Sequence, residues 1–401
     1  MARPTILQIV PRVETGGSEQ SALEINAALT RAGATSLVVS EGGALAEQIA
    51  KDGGINIYMK AASKNPAVII ANAFRLRRII AERNVDLLHA RSRAPAWSAL
   101  MAARMTGKPF VTTYHGSYSS KAPFKTLYNS VMARGDTVIA NSRFTAKLVH
   151  ERHGTPYEKM PVIFRGIDTE AFDPAAVSEA RLEALRKAWG ISPKTRVVLQ
   201  AARLTHWKGQ RYVIEAAGLL QKQGQLGDTV FVLAGGAQGR ESYAAELNEL
   251  IAQLGLGDHV LMVGHCADMA AAQRLADISI VASTQAETFG RASIEAQAMG
   301  APVIVTDIGA APETLIPENT DRKAFTGWIV PPADSAGLAA RLASVLSLSH
   351  AERESIAARA TTHAREVFSL RTMQSQTLEV YDEILGARLL DTWRSLAAKQ
   401  P

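Results

Sequence analysis

The residues best suited to chemistry are two glutamates, Glu287 and Glu295, which stand eight positions apart. A carboxylate accepts two or more hydrogen bonds, as the hydroxyl groups of a ribose or a hexose require. Between them, Phe289, Gly290 and Arg291 lead into a predicted helix, whose first backbone N–H groups can stabilise a departing phosphate. Two glutamates at this spacing often arise by chance. Their place between a predicted strand and a helix of small residues favours a binding site.

Two cations, Arg203 and Lys208, follow another predicted strand and precede Gly209, which opens a helix. An arginine fork can bind two phosphate oxygens, while a lysine supplies a mobile point charge. A pair of solvated surface cations explains the two residues equally well when they are taken alone. Their placement at the end of a strand favours binding of a diphosphate.

Two further candidates lie in the first half of the chain. Gly16 and Gly17 stand between a predicted strand and a predicted helix, where glycines let the backbone approach an anionic ligand. They lack the spacing of a dinucleotide-binding loop, and a tight turn with helix capping explains them as well. His115 follows a later strand and could hydrogen-bond a sugar or a phosphate, although a structural histidine is the commoner case.

The elements that must position these residues alternate along the chain. Short apolar runs separated by segments of helical period predict repeated βα units and parallel sheets. The first half holds seven predicted strands, ending with Val162–Phe164, and the second half holds six, ending with Gly327–Val330. A turn-rich stretch around Asp168–Pro174 separates the halves, and Ala351–Ala398 is predicted to be helical. Ligands bind beyond the carboxyl ends of such strands, so a cleft between two α/β domains is the expected site.

Composition excludes several classes of protein. The chain has 401 residues, of which 47% are hydrophobic, enough for two folded domains. A single cysteine, Cys266, cannot form an internal disulfide, which fits a reducing compartment. No run of 18 apolar residues occurs, and the apolar run before Pro11 is too short for a signal peptide, so a cytoplasmic location is expected.

The net charge of +6 suits nucleic acid, an anionic membrane surface or an acidic substrate. Nucleic acid is disfavoured because the chain has no zinc-ligand pattern, no aromatic RNA-binding signature and no basic run. Arg75, Arg77 and Arg78 lie beside Phe74 and Ile79, and such an apolar face flanked by cations can rest on acidic lipid headgroups. An ordinary solvated helix face is the alternative.

Several motifs of other enzyme classes are absent. The chain has no D-x-D pair for a nucleotide-bound metal ion, no clustered Cys/His ligand set, no G-x-S-x-G elbow and no P-loop. A leaving diphosphate would therefore be neutralised by Arg203, Lys208 and helix N-terminal amides, without a metal ion or another cofactor.

The combined pattern resembles the retaining glycosyltransferases of family 4, which have the GT-B fold. The motifs that carry this resemblance, which covers nearly the whole chain, are Arg203…Lys208-Gly209, Glu287-x7-Glu295, the Ala-Met-Gly-Ala-Pro-Val run of 298–303, Gly16-Gly17, Ala140-Asn141-Ser142 and Gly166-Ile167-Asp168-Thr169-x-x-Phe172. Within the family, the stretch His89–Arg93 looks most like mannosyltransferases of the bacterial lipopolysaccharide core.

The resemblance implies a donor site in the second half. Arg203 and Lys208 would bind the donor diphosphate, Glu295 would hold the ribose hydroxyls, and Glu287 would contact the transferred sugar. The backbone amides that would reach sugar hydroxyls or phosphate belong to Phe289, Gly290 and Arg291. The base would lie against Gly264–Asp268, which includes Cys266.

In the first half, the resemblance implies that His115 touches the donor sugar near the reacting centre and that Gly16-Gly17 closes over the phosphates. Two positions depart from the family pattern. Arg165 stands where relatives usually carry Asn, and Arg291 replaces a residue that is commonly apolar.

The resemblance also implies two Rossmann-like parallel-sheet domains that face a cleft. Residues 1–172 would bind the acceptor and be joined by a terminal helix at about 378–401, while 173–377 would bind the nucleotide sugar. The implied reaction transfers a hexose from a nucleotide diphosphate sugar (GDP-mannose or a UDP-hexose) to an anionic glycolipid of the lipopolysaccharide core. Such a protein would lie on the cytoplasmic face of the inner membrane.

The expected mechanism breaks the donor bond ahead of attack, and fixed charges stabilise the departing diphosphate, whose own oxygen takes the acceptor proton on the same face. Glu287 as a covalent nucleophile is an alternative. The fold also hosts nucleotide-sugar epimerases and phosphorylases. An epimerase needs no acceptor, which distinguishes it, and a non-enzymatic sugar-nucleotide sensor would not need Arg203, Lys208, Glu287 and Glu295 together.

Overall fold

The computed structural model describes residues 3–14, 17–116 and 123–397 of the chain. The chain divides into two compact units, of which the first contains residues up to Gly166 together with those from Leu370 onward. The second is the continuous segment Ile167–Ser369. The sequence predicts that the second domain covers residues 173–377, so the observed unit begins and ends several residues earlier in the chain.

The helices of the described residues are, in chain order, α1 (Gly17–Arg31), α2 (Ala46–Lys51), α3 (Pro66–Glu82), α4 (Arg93–Thr106), α5 (Pro123–Ser130), α6 (Arg143–His153), α7 (Glu179–Trp189), α8 (Gln210–Lys222), α9 (Glu241–Gln253), α10 (Met269–Leu275), α11 (Arg291–Ala298), α12 (Ser335–Leu346), α13 (His350–Val367), α14 (Leu370–Leu385) and α15 (Leu389–Ala397). Within these ranges, no helix combines the length and the apolar character needed to cross a lipid bilayer.

The first unit contains a six-stranded sheet in the order β3-β2-β1-β4-β5-β6. Its strands are β1 (Thr5–Ile9), β2 (Thr35–Ser40), β3 (Ile55–Tyr58), β4 (Leu87–Ala90), β5 (Phe110–Tyr114) and β6 (Thr137–Ala140). Every pair is parallel, and the central strands β1, β4 and β5 are buried along their whole length, as is typical of a parallel sheet covered on both faces.

The predicted strand at Val162–Phe164 is wrong. Val162 forms only an isolated parallel bridge with Ala140, the last residue of β6. Pro161 has no N–H to donate, and after Ile163 donates to the Ala140 carbonyl at 2.9 Å the chain leaves the sheet edge.

Helices α14 and α15 form part of the core of the first unit. Leu378 and Tyr381 of α14 and Trp393 of α15 share one apolar cluster with Ile25 and Leu29 of α1. The segment Ala351–Ala398, predicted to be helical, forms three helices, α13, α14 and α15. The start of α15 is held by Asp382, whose side chain accepts hydrogen bonds from the backbone N–H groups of residues 389 and 390 at 2.7 and 2.8 Å.

The second unit repeats the topology of the first. Its strands are β7 (Val197–Ala201), β8 (Val230–Ala234), β9 (Val260–Gly264), β10 (Ile278–Val281), β11 (Val303–Thr306) and β12 (Gly327–Val330). They form a parallel sheet in the order β12-β11-β10-β7-β8-β9, which is the same winding when it is followed from β9. The predicted α/β class with two Rossmann-like parallel sheets is confirmed. In each sheet the order reverses between the first and fourth strands, at β1/β4 and at β7/β10, where open α/β sheets bind ligands.

Candidate functional site

The candidate site of the second unit lies at the carboxyl ends of β7 and β10. These two strands are hydrogen-bonded neighbours, with Val198 opposite Ile278 and Leu199 opposite Ser279. The loop that follows β7 carries the predicted cations, and the loop that follows β10 carries Glu287. Because parallel neighbours end at the same edge, the two loops lie side by side.

The two loops are fastened to each other by backbone contacts. Gly209 has φ +73°, and a Cβ atom there would collide with the carbonyl oxygen of Ala282, so only glycine fits without strain. The N–H of Thr284 donates to the carbonyl of Trp207 at 2.8 Å. Lys208, which lies between Trp207 and Gly209, is thereby held against the β10 loop.

An ion pair closes this junction. The Nζ of Lys208 lies 2.7 Å from Oε2 of Glu287, and the two side chains are only 18% and 12% exposed. The hydroxyl of Ser283 donates to the other carboxylate oxygen of Glu287. Shielding from water strengthens the attraction between these charges. The structure therefore brings together a cation and a carboxylate that are 79 residues apart in sequence.

The other predicted residues of the β10 loop lie around the start of α11. Gly290 immediately precedes the helix, Arg291 begins it, and Phe289 is buried, with its ring 5.9 Å from that of Phe368. Glu295 lies one turn into α11, where Oε1 is 3.4 Å from Nε of Arg291. The first free N–H groups of α11 thus lie on the same loop as Glu287.

Arg203 and Cys266 occupy less enclosed places. Arg203 is exposed, and its carbonyl accepts a hydrogen bond from the buried side chain of Gln210 at 2.9 Å. Cys266 follows β9, two strands from β7 and hence about 10 Å along the same edge. Its thiol donates to the Asp268 carbonyl at 3.5 Å, and burial raises the pKa of the thiol.

In the first unit, His115 and Gly17 lie at the carboxyl edge of the sheet. Gly17 begins α1, and its carbonyl accepts a hydrogen bond from Arg165, one of the two residues at which the resemblance is incomplete. Burial, with Arg165 and Arg91 nearby, holds the pKa of His115 well below its usual range, so its imidazole is neutral at pH 7. Gly16 lies outside the described residues.

Sequence reasoning missed a buried polar cluster at this edge. His89, inside β4, bonds through Nδ1 to the hydroxyl of Tyr381 at 2.6 Å and through Nε2 to that of Thr113 at 2.7 Å. Arg91, which follows β4, donates from Nε to Gln8 of β1 at 2.9 Å. The available signal was one histidine within the apolar run Leu87–Ala90, followed by a charged residue at the strand end.

Burial sets the ionisation of this cluster. It is the main cause that holds the pKa of His89 well below its usual range and raises the pKa of Tyr381 to about 12. Both side chains are therefore uncharged at pH 7, and Arg91 supplies the cation. Among the residues that the structure describes, no three His, Cys, Asp or Glu side chains form a group that could hold a metal ion.

Two protein families match the chain. The family described as Glycosyltransferase Family 4 matches residues 15–171, and the family described as Glycosyl transferases group 1 matches residues 182–363. The first match covers most of the first unit and runs five residues past its boundary at Gly166, and the second contains Lys208, Glu287 and Glu295.

Individual proteins match as well. A glycosyltransferase from Rickettsia africae ESF-5 is 34% identical, with a TM-score of 0.87 over 97% of this chain and 100% of that one. The D-inositol 3-phosphate glycosyltransferase of Jonesia denitrificans is 29% identical over 265 residues, 65% of this chain and 60% of the relative. The chain spans between 42% and 60% of the length of the first curated relatives that it matches. Anabaena Alr3699/HepE in complex with UDP-glucose shares the fold, at 23% identity and a TM-score of 0.77 over 94% of this chain and 99% of that one.

Proposed function

This chain belongs to the glycosyltransferases with group 1 and family 4 domains and the GT-B fold, and we propose that it transfers a hexose from a nucleotide diphosphate sugar to an acceptor, with retention at the sugar. The observation that carries the proposal is the pair Lys208–Glu287, which joins the loops after β7 and β10 at 2.7 Å. A diphosphate sugar needs a cation for its phosphates and a carboxylate for its hydroxyls at adjacent points, and this junction supplies both.

The donor is bound by the second unit. Lys208 and Arg203 bind the diphosphate, Glu287 accepts hydrogen bonds from hydroxyls of the sugar, and Glu295 accepts those of the ribose. Residues 289–291 direct backbone N–H groups to the same phosphate. When the donor engages Glu287, the phosphate oxygens replace that carboxylate as partners of Lys208, so the charge of Lys208 stays compensated.

The reaction depends on stabilising the leaving diphosphate. As the bond between the sugar and the diphosphate breaks, negative charge accumulates on the phosphate oxygens and positive charge on the sugar ring. Lys208 and the N-terminus of α11 neutralise the first, and Glu287 lies beside the second. Fixed charges of this kind reorganise little during the reaction, which is why they accelerate it.

Both GDP-mannose and a UDP-hexose remain donors for this proposal. The Anabaena neighbour holds UDP-glucose in the same fold, which supports a UDP-hexose. Mannose and the lipopolysaccharide core come from the resemblance of His89–Arg93 and stay predictions.

The acceptor is proposed to be anionic, a glycolipid in the first instance. The Jonesia denitrificans relative is named a D-inositol 3-phosphate glycosyltransferase, and a phosphate ester is an anion. In the first unit, Arg91 and Arg165 both lie close enough to His115 to lower its pKa, so two cations share one part of the carboxyl edge.

A membrane surface is the proposed location of that acceptor. The predicted apolar face on α3 is partly wrong, because Ile79 is buried in the core of the first unit. Ile70 and Phe74 are 46% and 55% exposed and share a helix face with Arg77 and Arg78. The same face borders an open cavity of about 730 Å³ that Lys108 also lines. Apolar side chains flanked by cations suit the interface of an anionic bilayer.

Vesicle sedimentation tests this location. Replacing Arg77, Arg78 and Lys108 with alanine should weaken binding to anionic vesicles by about 1 kcal/mol per cation, an effect that high salt removes. A control variant with three exposed lysines of the second unit replaced, Lys187, Lys194 and Lys222, should bind as the parent does. Equal losses in the two variants would contradict the assignment to α3.

The transferase proposal itself is tested by incubating the protein with UDP- and GDP-hexoses, with and without anionic glycolipid acceptors. The expected result is release of the nucleoside diphosphate and a glycosylated acceptor only when both substrates are present. Conversion of the nucleotide sugar without an acceptor would identify an epimerase instead. Binding without turnover of any pair would favour a sensor.

A further inference from the structure

A cavity of about 30 Å³ lies between the ends of β7 and β10, and Lys208 and Glu287 form part of its lining. Gln200 of β7, Ser283 and Arg291 of α11 also belong to its polar lining. A buried water needs about 10–15 Å³ of such space and two to four polar partners. The cavity therefore has room for at least one water molecule.

Gln200 brings an acceptor to this cavity. Its side chain is 2% exposed, and Nε2 donates to the main-chain carbonyl of Lys208 at 2.7 Å, which fixes the orientation of the amide. The opposite atom, Oε1, is buried and accepts no hydrogen bond from the residues that the structure describes. A buried acceptor without a partner loses the hydrogen bonds that it would make in water, so a donor is expected beside it.

Arg291 brings a donor to the same cavity. Its Nε is buried and makes no hydrogen bond within the described ranges. Oε1 of Glu295 lies 3.4 Å away, well beyond the 2.7–2.9 Å or so of a charge-assisted hydrogen bond. The N–H of Arg291 therefore needs another acceptor, while Gln200 needs a donor.

We propose that the cavity is a water site that joins Gln200 to Arg291, and that both are positioning residues for the donor diphosphate; this rests on the proposed function. A water molecule donates to Oε1 of Gln200 and accepts from Nε of Arg291, which an ion or an apolar group cannot do at once. The two residues depend on each other, because neither polar atom is satisfied without the shared water.

The water site acts on the donor through the backbone. Gln200 holds the carbonyl of Lys208, and Arg291 lies at the start of the helix that carries Glu295. One water thus connects the loop that supplies the phosphate cation with the helix that supplies the ribose carboxylate. Loss of the water should therefore raise KM for the donor more than it lowers kcat.

A double-mutant cycle tests the proposal on the full chain. We expect Gln200→Leu and Arg291→Leu each to raise KM for the nucleotide sugar about tenfold, with kcat within about twofold of the parent. The double variant should have a KM no higher than that of the single variant with the higher KM. The first substitution already breaks the link through the water, so the second has nothing further to break. Gln273→Leu, which removes another fully buried amide, in α10, is the matched control and should leave KM unchanged.

Two further measurements keep this test independent of turnover. Calorimetric titration with UDP and GDP and thermal unfolding should show the same coupling between the two substitutions. A crystal structure at about 2 Å or better should contain an ordered water within about 3.2 Å of both atoms. Additive effects, or a direct contact that fills the cavity, would overturn the water site even if the protein transfers sugar. Coupled effects and an ordered water would uphold it even if no transfer is detected.

Discussion

The two sheets of this protein have the same strand order, but their carboxyl edges carry different charged groups. In the second unit, Lys208 and Glu287 form a close ion pair at the switch point between β7 and β10. In the first unit, the edge holds neutral, buried His89 and His115 beside the cation Arg91. The difference shows that one sheet topology can carry either a close ion pair or one cation beside neutral histidines at the same edge. The first suits the proposed donor, which has both phosphates and hydroxyls, and the second suits the proposed anionic acceptor.

The largest effect should come from breaking the ion pair. Lys208→Ala removes the cation that we propose neutralises the leaving diphosphate, and we expect kcat/KM to fall about 10²–10³-fold or more in a steady-state transfer assay. Lys222→Ala, at the exposed end of α8, is the control and should keep the parent rate. Near-normal turnover of Lys208→Ala would refute its role at the phosphate.

The neutral histidines of the first unit should make stability depend on pH. Because their pKa values are lowered by folding, the unfolded chain binds more protons, and stability falls as pH drops below about 6.5. Each histidine should contribute about 1.4 kcal/mol per pH unit until its folded-state pKa is reached. Denaturant unfolding at pH 7.5 and 5.5 measures this. His89→Gln should reduce the slope, whereas the exposed His350→Gln should not; equal slopes in all three proteins would contradict it.

A smaller effect is expected at the helix that completes the first unit. Tyr381→Phe removes the hydroxyl that lies 2.6 Å from Nδ1 of His89 and leaves that nitrogen buried without this partner. The free energy of unfolding should fall by about 1–3 kcal/mol, as for other buried hydrogen bonds. Tyr157→Phe, half-exposed, should change it by no more than about 0.5 kcal/mol. If the two variants unfold alike in denaturant, the His89–Tyr381 bond does not stabilise α14.

Much of the fold could be predicted from local sequence. The strand Gly327–Val330 has the predicted bounds, because a strand buried on both faces is a short apolar run between turn residues. Short or polar helices such as α2 and α6 were not predicted, since a short or weakly amphipathic helix gives little periodic signal.

The proximity of two site residues could be predicted only where both follow strands whose neighbourhood is given by the general strand order of such sheets. The proximity of Lys208 and Glu287 follows from β7 and β10 being neighbours, which the general rule for such sheets suggests. The bond between His89 and Tyr381 joins residues 292 positions apart, and no local pattern specifies it. The same holds for Gln200, whose partner is fixed by how the β7 loop folds back on the strand.

The discontinuous first unit has a consequence for synthesis of the chain. Leu370 follows Gly166 by 204 positions, and residues from α14 and α15 supply part of the cluster that buries α1. At about 5–20 residues per second, roughly 10–40 s pass between the emergence of the two segments. The second unit emerges during that interval, and its last residue, Ser369, emerges immediately before Leu370. In a chain that ends at residue 369, we therefore expect residues 167–369 to resist proteolysis, while α1 and its apolar face stay accessible to the protease.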